Sequence, residues 1–173
     1  EGARYTEDRV IAELPGEIRY RPHGVIAVIG PFNFPGHLPN GQILPALLLG
    51  NCVVHKPSEH APAASLWMAR CFHEARLPAG AFQLVHGPGT IGATLAAHPE
   101  VDGVMFTGSV AVGRRIVASQ GDRLDRVVAL ELGGKNTAIA LSDCDVERSA
   151  RAVLFGAYAT AGQRCTASSR LIV

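Results

Sequence analysis

Apolar and polar residues alternate along this chain in blocks whose period changes. Val25–Ile29 is an unbroken apolar run, as expected of a strand buried on both faces. Leu38–Leu49 keeps a helical period despite Pro39 and Pro45. Cys52–His55 reads as a second strand. Ala61–Ala75 reads as a helix, with Pro62 accommodated in its first turn. Phe82–Val85 predicts a strand, Ile91–Ala97 a short helix stopped by Pro99, and Val101–Phe106 another strand. Ser109–Ser119 predicts a helix with Ser109 as N-cap. Arg126–Leu130 and Thr137–Leu141 predict strands, and Val146–Ala159 a helix capped by Asp145. Residues 1–22 are polar and irregular and read as a linker or hairpin arm. Strands and helices alternate with short loops and no internal repeat. The order predicts an α/β fold: an open, doubly wound, mostly parallel sheet with helices on both faces.

Composition narrows the classes of function. The chain has 173 residues, enough for one domain with a real core, and 47% of them are hydrophobic. Its net charge is +1 and its basic residues do not cluster. Arg114-Arg115 is the densest pair and reads as a solvated helix face, so nucleic acid and membrane are not expected partners. No signal peptide or membrane-spanning run is visible. The four cysteines, Cys52, Cys71, Cys144 and Cys165, include no C-x-x-C pair, which points to a reduced, cytoplasmic setting and to no zinc site. Cys52 and Cys71 fall in strand and helix patterns and read as core. The chain starts at Glu1 and stops inside Ser169–Val173, the beginning of a strand, so a piece of a longer protein is expected.

Candidate chemistry lies at the ends of the strands. Gly108–Gly113 follows one strand and opens a helix, where free N–H groups favour phosphate, although the glycines do not have the G-x-G-x-x-G spacing. A plain tight turn explains that segment equally well. Lys56-Pro57-Ser58-Glu59 follows another strand. Lys56 could meet a ribose hydroxyl or a phosphate, while Glu59 could accept from ribose hydroxyls and would repel a 2′-phosphate; an exposed loop with two solvated charges is the alternative. Asn33, between Phe32 and Phe34, is a rigid amide able to stabilise an oxyanion, yet locally it reads first as a turn cap. Glu131 follows an apolar run, where a carboxylate would have a raised pKa suited to a general base, unless it turns to solvent. Cys165 sits among Gln163, Arg164 and Thr166, a polar setting that argues for a nucleophile over an inert buried thiol. Arg164 would favour the thiolate if it points inward. Cys144, between Asp143 and Asp145, is in the wrong field for one.

Five motifs stand in one order: Pro31-Phe32-Asn33-Phe34-Pro35, Lys56-Pro57-Ser58-Glu59, Phe106-Thr107-Gly108-Ser109, Leu130-Glu131-Leu132-Gly133-Gly134-Lys135 and Gly162-Gln163-Arg164-Cys165. Together they resemble the aldehyde dehydrogenase superfamily, over nearly the whole chain from about Arg21 to Val173. Within it, Gly36-His37-Leu38-Pro39-Asn40-Gly41 is the most distinctive stretch and is similar to the succinylglutamate semialdehyde dehydrogenase branch of arginine catabolism. The resemblance implies a Rossmann-like fold truncated at both ends: an arm over 1–22, an NAD-binding domain over 23–134, and over 135–173 the start of a catalytic domain. It implies Cys165 as nucleophile, Asn33 and the backbone N–H of Cys165 as oxyanion donors, and Glu131 as the base that activates water. Lys56, Ser58 and Glu59 would hold the adenosine ribose. Gly108, Ser109 and Gly113 would lie near the pyrophosphate. Ile29, Phe32, Gly89, Phe106, Thr107, Val112, Leu132 and Gly133 would line the cofactor cleft. NAD is the implied cofactor, with NADP possible, and a small aldehyde the substrate; the parent would be a homo-oligomer. A dehydrogenase of another aldehyde and a nucleotide-binding module without catalysis are the competing readings.

Overall fold

The computed structural model describes residues 8–11 and 16–173. Arg9–Ile11 (β1) and Gly16–Ile18 (β2) pair antiparallel, so the described part of the expected arm is a hairpin; residues 1–7 and 12–15 of that arm lie outside the described residues. Val25–Ile29 (β3) then starts the main sheet. Its alternate residues serve two cores, which is why the run is apolar throughout. Ile26 and Val28 pack with Ile43, Ala46 and Val53 on one face. Ala27 and Ile29 pack with Ala96, Val104, Phe106 and Ile116 on the other.

The first face is covered by helices His37–Leu48 (α1) and Pro62–Glu74 (α2), which flank strand Cys52–Lys56 (β4) in sequence. The second is covered by Gly89–Ala97 (α3) and Val110–Ser119 (α4), which follow strands Phe82–Leu84 (β5) and Gly103–Gly108 (β6). Val127–Leu132 (β7) completes a five-stranded parallel sheet of order β5-β4-β3-β6-β7. The chain steps outward from β3 through β4 to β5, then returns to place β6 and β7 on the other side. Connections therefore diverge between β3 and β6, and a crevice opens at their carboxyl ends. Ile29 pairs with both Lys56 and Phe106, so β3 and β4 end level beside that crevice and β6 runs two residues further, to Gly108.

Beyond Gly133 the chain leaves this sheet. Asn136–Ile139 (β8) and Ser168–Ile172 (β9) form a separate parallel pair, with a register irregularity between Asn136 and Thr137. Val146–Tyr158 (α5) joins them, followed by a short turn over Ala159–Gly162. Both expected caps form: Ser109 Oγ accepts from Val112 N–H at 3.3 Å, and Asp145 Oδ1 from Arg148 N–H at 2.9 Å. Among the described residues no helix is long and apolar enough to cross a membrane.

Two expectations about burial are corrected. Cys52 and Cys71 are exposed. Cys52 is the first residue of β4, outside the two-sided burial that begins at Val53, and Cys71 falls off the Ser65, Met68, Phe72 stripe with which α2 faces the sheet. The buried polar residue of this layer is His55 instead. Its Nδ1 lies 2.9 Å from Val28 O and its Nε2 3.3 Å from Ser65 Oγ, tying β3, β4 and α2 together. Burial holds its pKa below the ordinary histidine value, an effect that outweighs the contact with Val28 O.

Candidate active site

A cleft of about 730 Å³ occupies the crevice at the carboxyl ends of β3 and β6, a volume suited to a small-molecule or cofactor site. The turn after β3 forms one wall. Gly30 N–H donates to Lys56 O at 3.0 Å. A Cβ on Gly30 would lie 2.6 Å from Pro39 Cγ and 3.1 Å from the His55 ring, so only glycine lets the chain pass between α1 and β4. That passage carries Phe32 and Asn33 onto the cleft wall.

At the end of β4, Lys56 and Ser58 are buried and Glu59 is exposed, and all three reach the cleft. Lys56 Nζ donates to Glu59 Oε2 at 3.0 Å; the lysine side chain is 4% exposed and the glutamate 45%. The Glu59 carboxyl is held below its usual range, first by its own backbone N–H and then by Lys56. It is therefore ionised at neutral pH, and the lysine charge is largely compensated within the pair.

The opposite wall is made by the β6–α4 turn and two facing helices. Phe106, Thr107, Gly108 and Ser109 line it, and Ile29 closes its floor. From α3 come Gly89, Gly92, Ala93 and Ala96, and from α4 come Val112, Arg115, Ile116 and Ser119. Each set has the spacing i, i+3, i+4, i+7, one face of a helix. The small residues on α3 leave a slot between the two helices. Arg115, expected on a solvated face, is exposed but also lines this slot. The small-residue spacing in 89–96 was the available signal for the α3 wall.

Gly113, expected near a pyrophosphate, does not line the cleft. It is buried behind the wall, and a Cβ there would come within 2.8 Å of Leu132 Cδ2. Its smallness lets α4 approach β7, and it is Leu132 that faces the cleft, beside Gly133.

The third side brings in the candidate reactive groups. Glu131 and Cys165 line the same cleft as Asn33. Glu131 lies on β7, the edge strand of the main sheet, and its side chain is exposed. The apolar enclosure expected around it is therefore absent among the described residues. Cys165 is exposed too. Asn33 Nδ2 donates to Gln163 O at 2.7 Å. An amide NH₂ carries two hydrogens, so one anchors the asparagine to the cysteine loop and the other remains for an oxyanion.

Sequence reasoning missed how that loop is held. Thr160, Ala161 and Gly162 have φ of 58°, 54° and 70°, three left-handed residues in succession. For threonine and alanine this conformation costs roughly 1–2 kcal/mol each. Polar contacts hold the loop in place. Asn136 Nδ2 donates to Cys165 O at 2.6 Å and to Ala167 O at 3.2 Å. Arg164 Nε donates to Thr160 Oγ1 at 2.8 Å, and the guanidinium lies 5.7 Å from the centre of the Phe34 ring. Only the glycine of this turn was a signal in the sequence.

The cleft fits a dinucleotide. Gly89 and Gly133 have open space where a Cβ would project, the α4 N-terminus offers backbone donors, and the Lys56–Glu59 pair offers both a donor and an acceptor for ribose hydroxyls.

Known proteins resemble this chain in sequence and fold. The chain is 48% identical over 165 residues to an N-succinylglutamate 5-semialdehyde dehydrogenase of Chromohalobacter salexigens, covering 95% of this chain and 34% of that protein. The crystal structure of gamma-glutamyl-gamma-aminobutyraldehyde dehydrogenase from Burkholderia cenocepacia J2315 superposes with a TM-score of 0.83 at 43% identity, over 87% of this chain and 31% of that one. PnpE in complex with nicotinamide adenine dinucleotide superposes with a TM-score of 0.87 at 37% identity, over 95% and 34%. The chain thus spans about a third of the length of the curated relatives it matches. The aldehyde dehydrogenase family model matches residues 4–173. With that match over almost its whole length, and a parallel α/β sheet shared with solved enzymes of the kind, the chain belongs to the aldehyde dehydrogenase family.

Proposed function

We propose that the protein carrying this chain oxidises N-succinylglutamate 5-semialdehyde to N-succinylglutamate, with NAD as acceptor and through a thioester on Cys165. The observation that carries this reading is the convergence of Cys165, Asn33 and Glu131 on one cleft at the switch point of the sheet. The substrate rests on the name of the Chromohalobacter relative. Arginine catabolism, a cytoplasmic location and a homo-oligomeric state belong to the same proposal.

Residues 23–134 bind the dinucleotide in this reading, and residues 135–173 supply the nucleophile. Lys56 and Glu59 hold the adenosine ribose, with Ser58 beside them. The ionised Glu59 disfavours a 2′-phosphate, which supports NAD over NADP. Gly108 and Ser109 lie beside the pyrophosphate at the start of α4. When bound, the nicotinamide supplies the acceptor for a hydride.

The Cys165 thiolate attacks the aldehyde carbon and forms a C–S bond. The free N–H of Asn33 and the backbone N–H of Cys165 take the charge that develops on oxygen. Loss of hydride from that carbon leaves a thioester. Glu131 then takes a proton from water, the water oxygen attacks the thioester carbon, and the C–S bond breaks. The acid leaves and the thiolate is restored.

The test is NADH formation by the full-length protein with N-succinylglutamate 5-semialdehyde beside a panel of other aldehydes. Preference for the succinylated substrate is the expected result. Activity confined to other aldehydes would remove the substrate assignment and keep the chemistry. Turnover of no aldehyde, with NAD still bound, would leave a nucleotide-binding module.

A further inference from the structure

Arg164 precedes the reactive cysteine, lines the same cleft, and is held in a way that leaves most of its guanidinium free. One N–H, on Nε, is used by Thr160 Oγ1 at 2.8 Å, and one face of the planar group is turned to the Phe34 ring, 5.7 Å from its centre. The Nη groups at the far end of the fork make no hydrogen bond to the described residues, and no described carboxylate pairs with Arg164. The contrast with Lys56 is direct: that cation is also on the cleft, but Glu59 sits 3.0 Å away and compensates it. Arg164 is an uncompensated cation at the reacting end. Its neighbour Gln163 is bonded to Asn33, and its stacking partner Phe34 follows Asn33 in the chain, so it stands on the side where the oxyanion would form. A guanidinium held at Nε and on one face has already lost much of its rotamer freedom, and its remaining edge matches a carboxylate.

We propose that Arg164 receives a carboxylate of the aldehyde substrate through its Nη groups, and so selects aldehydes that carry an anionic group over neutral ones. The inference rests on the reading of Cys165 as nucleophile and assigns that reading a residue for substrate charge.

The test does not need the dehydrogenase reaction. Iodoacetate and iodoacetamide alkylate a thiolate alike, forming an S–CH₂ bond as iodide leaves, but only the first carries a carboxylate. Their rates at Cys165 are followed in the full-length protein by mass spectrometry of its peptide, in the wild type, Arg164→Gln and Arg164→Lys. The iodoacetate-to-iodoacetamide ratio should fall about 10- to 100-fold in Arg164→Gln, the range for a hydrogen bond to a charged group, and should recover in part in Arg164→Lys. In the wild type it should fall as salt is raised. An unchanged ratio in Arg164→Gln overturns the proposal. A parallel fall in both rates overturns it too, because Arg164 would then act on the thiolate or the loop. Should the glutamine variant not fold, a wild-type ratio indifferent to salt, or a lysine variant with no preference for iodoacetate over the free-thiol ratio, has the same force. A charge-dependent ratio in a protein that oxidises no aldehyde would sink the dehydrogenase reading and leave the role of Arg164 standing.

Discussion

The five-stranded sheet and the segment that carries Cys165 hold their cleft residues by different physics. In the first, Asn33, Lys56 and Ser109 stand at or just beyond the ends of strands that pack into the two cores, and the crevice exists because connections diverge between β3 and β6. Position there follows from many individually weak packing contacts. In the second, apolar residues of α5 such as Phe155 and Tyr158 are 69% and 72% exposed, and three left-handed residues stand just before Cys165. Position there depends on a few polar contacts, from Asn33, Asn136 and Arg164. Cofactor-side residues should therefore tolerate the loss of a single contact, whereas the cysteine side should respond sharply to it.

The largest expected effect comes from Glu131→Gln. Acylation should survive and thioester hydrolysis should slow by roughly 10²- to 10⁴-fold, as for loss of a general base. A stopped-flow burst of NADH followed by a slow steady state is the expected trace; hydrolysis at the wild-type rate would remove Glu131 from the mechanism. Asn33→Ala comes next. It removes the proposed oxyanion donor and the anchor on Gln163 O together, and kcat should fall by roughly 10²- to 10³-fold while NAD affinity persists in a titration. A proportional loss of NAD binding would show that the two regions are not separable.

Gly113→Ala probes the sheet side. Its Cβ would meet Leu132 Cδ2 at 2.8 Å, so stability should fall by about 1–3 kcal/mol in denaturant unfolding. Leu132→Ala in the same chain should offset part of that cost; strict additivity of the two changes would exclude the packing account. Thr160→Gly probes the other side. It relieves a left-handed threonine, so stability should hold or rise by about 1 kcal/mol, yet kcat should fall because Arg164 loses its Thr160 Oγ1 contact. A drop in Tm with unchanged kcat would refute that division.

The smallest effect concerns pH. His55 has its pKa lowered in the folded state, so the unfolded chain binds a proton more readily. Stability contributed by neutral His55 is present above the ordinary histidine value of 6.5 and is lost as pH falls from there toward the lower folded value. Melting curves across that window should show the slope in the wild type and a flatter one in His55→Gln. Equal slopes would place the linkage on another group.

Much of this was legible in advance because buried parallel strands and capped helices leave local marks. Val25–Ile29 could be read from one run, and Ser109 and Asp145 from their places before apolar periods. Boundaries moved where a neighbour intervened. Val101 is buried yet lies before the β6 ladder, its N–H bonded to His98 O, so the strand runs from Gly103 to Gly108 instead of from Val101. Helix α3 opens at Gly89, directly after Pro88, two residues before the apolar pattern declares it. Exposure of Cys52 and Cys71, the inward turn of Gly113 to Leu132, and the place of Arg115 on the cleft had no local mark.

The sequence alone determined the strand and helix order, the caps, and which residue types could act as nucleophile, base and oxyanion donor, because period and chemistry are properties of neighbouring residues. Tertiary structure decided which of them meet. Asn33 and Gln163 are 130 positions apart, and Asn136 reaches Cys165 across 29. Those contacts, and the left-handed turn they hold, exist only once separate elements have packed, since no local preference of threonine or alanine would favour that backbone.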